Sequence, residues 1–128
     1  VYELIIHAGF AAAHRLREYQ GDCENLHGHN WKLDVVLSAD KLDRLGMVCD
    51  FRVVKRHLAA VTEQLDHKYL NELPEFTEHN PTTENVAAFV CRELDKLLPT
   101  GVRVARVTAW ESDGCGATFI NPEAARTS

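Results

Sequence analysis

The sequence predicts an α+β fold, an antiparallel four-stranded sheet carrying two helices on one face, with its elements in the order β-β-α-α-β-β. Three observations predict it. Two long runs near the start alternate with period two, two central runs repeat their apolar residues at steps of three and four, and two shorter strand-like runs close the chain. Helices and strands grouped in separate blocks lead to an α+β layer rather than to a parallel βαβ sheet.

Each element has its own justification. Residues 2–14 read as a strand with Phe10, Ala12 and His14 on one face. Residues 15–26 contain Gly21-Asp22 and read as a loop. In residues 27–39, His29, Trp31, Leu33, Val35 and Leu37 share one face, and Asn30, Lys32, Asp34 and Ser38 share the other. After a connection over 40–46, Phe51, Val54, Leu58, Val61 and Leu65 make the stripe of a helix over 51–65, with Asp50 as its N-cap. Residues 71–81 hold two prolines and read as a loop. Pro81-Thr82-Thr83 then starts a second helix that runs to about 98 and turns Val86, Val90, Leu94 and Leu97 to the sheet. Strands follow at 102–111 and 117–120 around a glycine turn at 114–116. Residues 1–120 are read as one domain and 121–128 as a polar, frayed tail. Apolar residues that alternate with the core face suggest a second apolar sheet face, covered by other copies of the chain.

Composition narrows the function. A net charge of −5 argues against a nucleic-acid-binding surface. No apolar run approaches the ~20 residues of a membrane span, and there is no basic-then-apolar leader pattern. The four cysteines (Cys23, Cys49, Cys91 and Cys115) form no C-x-x-C pair, so a cysteine zinc cluster is not expected. A reduced, cytoplasmic protein is the expectation.

The chemistry lies in histidines. His27 and His29, two apart on a strand, face the same way, and His14 ends the preceding strand. If the strands pair, three imidazoles converge. Three neutral imidazoles with an open fourth position are how proteins build a catalytic zinc site. Copper, nickel and iron share the ligand type, but no carboxylate stands at a spacing that suggests a two-histidine, one-carboxylate iron site. A lone histidine is more often a surface or core residue; the trio, with Cys23 four residues before His27, is a stronger signal. A dication beside Cys23 favours its thiolate, a usable base or nucleophile. Asp66-His67 has the form of an oriented acid–base pair, although a histidine at a helix C-terminus also simply favours the dipole. Glu111 ends a strand, where a carboxylate can take two N–H donors of a planar heterocycle. Thr82 and Thr83 read first as helix caps.

These residues resemble the 6-pyruvoyl-tetrahydropterin synthase family. The matching stretches are Phe10-Ala11-Ala12-Ala13-His14-Arg15-Leu16, Cys23 through Asn30, Asp50-Phe51, Leu65 through Asn71, Asn80 through Asn85, and Trp110-Glu111. A small departure is Ala8, where many members carry a second phenylalanine. The resemblance implies a T-fold subunit that assembles as trimers, two of them stacked into a hexamer, with active sites between subunits. It implies zinc on His14, His27 and His29, a pterin anchored by Glu111 with help near Thr83, Cys23 as proton acceptor, and Asp66 and His67 as proton relay. The implied substrate is 7,8-dihydroneopterin triphosphate. The short spacing from Cys23 to His27 favours the branch that makes 6-carboxy-5,6,7,8-tetrahydropterin with release of triphosphate and acetaldehyde. Glu24 complicates this, because Glu24-x-x-His27-Gly28-His29 also matches relatives that make 6-hydroxymethyl-dihydropterin for folate. A non-catalytic zinc assembly module is the third reading, and it has no use for Cys23, Asp66, His67 or Glu111. Arg15, Arg17, Lys32, Lys55 and Lys68 are candidate triphosphate contacts.

Overall fold

Two long strands form the spine. β1 (Tyr2–His14) and β2 (His27–Ala39) pair antiparallel in one unbroken register, from Tyr2↔Ala39 to His14↔His27. The structure is a computed structural model and describes residues 1–17 and 26–124. The remaining elements are α1 (Phe51–Glu63), β3 (Lys68–Tyr69), α2 (Thr83–Asp95), β4 (Arg103–Ser112) and β5 (Cys115–Ile120), with short 3-10 turns at Leu70–Glu72 and Pro74–Phe76. The sheet order is β3-β1-β2-β4-β5. The α+β architecture is as expected, but the sheet has five strands and is mixed, because β3 runs parallel to β1 through Ala12↔Lys68 and Ala13↔Tyr69.

Both helices start where their caps dictate. The Asp50 carboxylate accepts the Arg52 N–H at 2.8 Å, and Thr82 Oγ1 accepts the Asn85 N–H at 3.1 Å. α1 buries Val54, Leu58 and Val61, and α2 buries Val86, Val90 and Leu94. Together with Trp31, Leu33, Val35, Leu37, Val107 and Ala109 of the sheet they form one core. Each helix stops short of the expected end, α1 at Glu63 and α2 at Asp95. Leu65 is still buried, from the following turn, whereas Phe51 and Leu97 at the outer ends of the two stripes are exposed.

The second sheet face is not the apolar surface that was expected. It carries His7 against Asp34, Arg106 against Glu3, and Thr108 against Thr118, with exposed Ile5 and Ile120 at its margins. Asn121, read as the start of a frayed tail, is buried and bonded. Its N–H donates to the Ala105 carbonyl and its amide to that of Val104. Among the described residues no helix is long and apolar enough to cross a membrane.

Candidate active site

The register of β1 and β2 builds the site. Residues directly opposite in a sheet point to the same face, so His14 meets His27 across the pair, and small Ala12 lies opposite His29. The rings stand edge to face, with centroids 4.6 Å apart for His14–His27 and for His27–His29. Trp31 packs against His14 with centroids 5.1 Å apart and stacks on Phe10. Glu111 arrives from β4, ninety-seven residues from His14. Its Oε1 lies 2.9 Å from His14 Nε2, 2.8 Å from His29 Nε2 and 3.5 Å from His27 Nε2. One ligand atom from each of the four residues falls within 4.8 Å of the others.

A metal ion suits this donor set. His14 Nδ1 lies 2.7 Å from the Pro81 carbonyl oxygen. A carbonyl only accepts, so Nδ1 carries a proton, and Nε2, 2.9 Å from Glu111 Oε1, is the nitrogen left to face a metal. Burial, opposed by Glu111 and reinforced by the neighbouring His27 and His14, holds the His29 pKa below its ordinary value. His29 Nε2 is buried and makes no hydrogen bond, although a Glu111 oxygen lies 2.8 Å away. A buried acceptor without a partner is costly, and a cation resolves it. Burial pushes the Glu111 carboxyl up, but the hydrogen bond and charge of His14, with His29 and His27, outweigh burial and leave it below the usual range.

Glu111 is aimed by a bulge. The β4–β5 register slips between Trp110 and Ser112, so Glu111 has no partner on β5, and the β2–β4 ladder ends at Lys32↔Trp110. Trp110, the last residue paired on both sides, donates its indole N–H to Asp34 at 2.8 Å. Its ring lies over Gly116, where a Cβ would come within 2.7 Å of it. On the site side, Thr83 Oγ1 donates to Glu111 Oε2 at 3.3 Å.

Asp66 and His67 follow α1 on a turn in which His67 has φ 58°. The His67 N–H donates to the Ala11 carbonyl, the Ala11 N–H donates to Asp66 Oδ1, and Asp66 Oδ2 lies 3.0 Å from His67 Nδ1. The Ala11 N–H, more than the His67 contact, holds the Asp66 carboxyl below its ordinary pKa. An open groove of ≈ 540 Å³ has Ala13, Gly28, His29, His67, Lys68 and Tyr69 on its walls. His67 of the dyad and His29 of the histidine cluster therefore border a common space.

Of the residues singled out from sequence, the structure gathers His14, His27, His29, Glu111 and Thr83. It sets His67 on the groove that His29 also lines, with Asp66 held against the His67 ring. Cys23 and Glu24 lie outside the described residues. Glu111 was expected only at a pterin ring, not among the ring nitrogens, and a strand-end carboxylate so distant in sequence gives no spacing signal. Two basic candidates are engaged elsewhere. The Arg17 guanidinium donates to the Asn71 and Phe76 carbonyls, and Lys32 pairs with Asp113. The Pro81 carbonyl escaped sequence reasoning, because backbone acceptors leave no residue-type signal.

This sheet, with two helices on one face and histidines at one end, defines the protein as a T-fold domain with a metal-competent site. The profile of the family described as 6-pyruvoyl tetrahydropterin synthase matches residues 3–122, and the chain belongs to that family. It is 37% identical over 118 residues to 6-carboxy-5,6,7,8-tetrahydropterin synthase of Synechocystis sp., covering 88% of each chain. It is 35% identical over 113 residues to dihydroneopterin monophosphate aldolase of Pyrococcus furiosus, covering 88% of this chain and 92% of that one. The solved structure of 6-pyruvoyl tetrahydropterin synthase from Caenorhabditis elegans superposes with a TM-score of 0.84 at 27% identity, covering 94% of this chain and 95% of that one.

Proposed function

We propose that this protein is a zinc-dependent pterin lyase that converts 7,8-dihydroneopterin triphosphate and one water to 6-carboxy-5,6,7,8-tetrahydropterin, triphosphate and acetaldehyde. The observation that carries the reading is the convergence of three imidazole Nε2 atoms on one point beside a carboxylate. His14, His27 and His29 would hold the zinc, which would supply a Lewis acid for the substrate's side-chain oxygens and so acidify the adjoining C–H positions. Glu111 takes the N–H donors of the pterin ring, oriented by the Thr83 hydroxyl. Counting Glu111 as a fourth ligand would close a tetrahedral shell and leave the substrate no place, as in a purely structural site. Cys23 accepts a proton from the side chain. Asp66 orients His67, which moves protons at the groove. Such a thiol needs a reducing compartment, in keeping with a cytoplasmic enzyme.

The proposal includes assembly of several copies, a dimer of trimers. Tyr2–Phe10 of β1 has no strand on its outer side among the described residues, and β5 ends the sheet on the other side. Bare edges of this kind invite pairing, and a closed ring of copies removes them.

A second reading has specific support. Glu24 stands next to Cys23, and the Pyrococcus furiosus relative is an aldolase of dihydroneopterin monophosphate. In that reading a retro-aldol cleavage of the dihydroneopterin monophosphate side chain leaves 6-hydroxymethyl-dihydropterin and releases glycolaldehyde phosphate. Mass spectrometry of the products from zinc-loaded protein separates the two. A carboxy-tetrahydropterin with acetaldehyde supports the first, a hydroxymethyl-dihydropterin supports the second, and no turnover of either the triphosphate or the monophosphate overturns both.

A further inference from the structure

Among the described residues the segment after His14 has no strand beside it, yet it is held as if it had. β3 pairs with β1 only at Ala12 and Ala13, and the chain then turns at Leu70–Glu72. Asn71 supplies the missing partner. Its Oδ1 accepts the Arg15 N–H at 2.9 Å and its Nδ2 donates to the Arg15 carbonyl at 2.9 Å. Asn80 repeats this one strand period later, accepting from the Arg17 N–H at 2.9 Å and donating to the Arg17 carbonyl at 3.0 Å. Asn80 is itself fixed, because its carbonyl accepts from Asn85 Nδ2 at 2.8 Å and the proline after it restricts its backbone. That proline is Pro81, whose carbonyl receives His14 Nδ1–H.

The contacts close a ring. His14 runs along the chain to Arg17, Arg17 joins Asn80 through two reciprocal bonds, Asn80 leads to Pro81, and Pro81 returns to the His14 imidazole. We propose that Asn80, supported by Asn71, is a positioning residue for His14, holding the Pro81 carbonyl where it fixes the tautomer and orientation of that ring. The role rests on the metal reading of the histidine cluster. Only an amide does this work at position 80. An aspartate keeps the acceptor but sets a carboxylate oxygen against the Arg17 carbonyl, and an alanine offers neither bond.

The test uses the full chain stripped of metal and titrated with zinc or cobalt(II). Asn80→Ala is expected to weaken zinc binding by about 10–100-fold, the usual cost of losing a partner that orients a ligand. The cobalt absorption spectrum shifts with it. Long-range ¹⁵N–¹H correlations on the metal-free protein show one His14 tautomer in the wild type and a mixture in the variant. If Asn80→Ala does not fold, Asn80→Asp is read in the same three ways. A variant that lowers the melting temperature but leaves affinity, cobalt spectrum and tautomer unchanged overturns the proposal, since Asn80 then only stabilises the fold. If the wild type binds neither metal, the metal reading has failed on its own. The tautomer measurement then decides the positioning role, which a mixture confined to the variant keeps and identical spectra reject.

Discussion

His14 and His67 are both read as working residues, but the fold treats them in opposite ways. His14 is 2% exposed, bonded at both ring nitrogens and packed against Trp31. The His67 side chain is 83% exposed and held at Nδ1 by Asp66, itself 41% exposed. The first site is finished within one chain, because its ligands come from paired strands whose register leaves little freedom. The second has its internal geometry, set by the Ala11 backbone, and lacks walls. The group that could hold a metal is thus complete within the subunit. In the proposed assembly a neighbouring copy would supply the walls that exclude water around the dyad.

The difference can be broken or sharpened by substitution. His29→Ala should abolish stable metal binding and lower turnover by about 10³-fold, the worth of a Lewis acid contributing several kcal/mol; metal content by mass spectrometry and steady-state rates check both. His67→Ala should lower kcat by about 10²-fold with metal content intact. Metal lost along with activity would erase the distinction between the two regions. Glu111→Gln should keep the metal and raise KM by about tenfold, the cost of one charge-assisted hydrogen bond of roughly 1.5 kcal/mol. Its loss of metal would instead make Glu111 a ligand and the shell closed.

The smallest effect on turnover belongs to a carboxylate outside both regions. Asp95 accepts from Arg103, the Val104 N–H and Asn121, and these bonds outweigh its burial and hold its pKa below the ordinary value. Asp95→Asn should leave kcat unchanged and cost about 2 kcal/mol at neutral pH. Because the folded-state pKa is lowered, this stabilisation is present above the unfolded carboxylate range and is lost as pH falls through the folded value. Urea titrations should therefore show the gap between wild type and variant closing below about pH 4.

Both long strands, both helices and their caps were legible because each rests on a local periodicity or a capping residue. The histidine trio was legible for the same reason, a spacing of two on a strand. β3 was not, since two residues show no period. The second face was misjudged because apolar residues alternating with the core face suggested an apolar surface, while Glu3, His7, Asp34 and Arg106 pair across strands that only the register brings together. Asn71 and Asn80 stood out in the sequence only as motif residues, because their partners are backbone atoms more than fifty positions away.

The left-handed backbone at His67 bears on how this protein should be engineered. A side chain in that conformation costs about 1 kcal/mol that glycine does not incur. Any procedure that ranks variants by folding stability will therefore favour His67→Gly, which keeps the turn and deletes the imidazole. A thermostable derivative selected without an activity screen would be expected to lose its acid–base group early, while melting later than its parent.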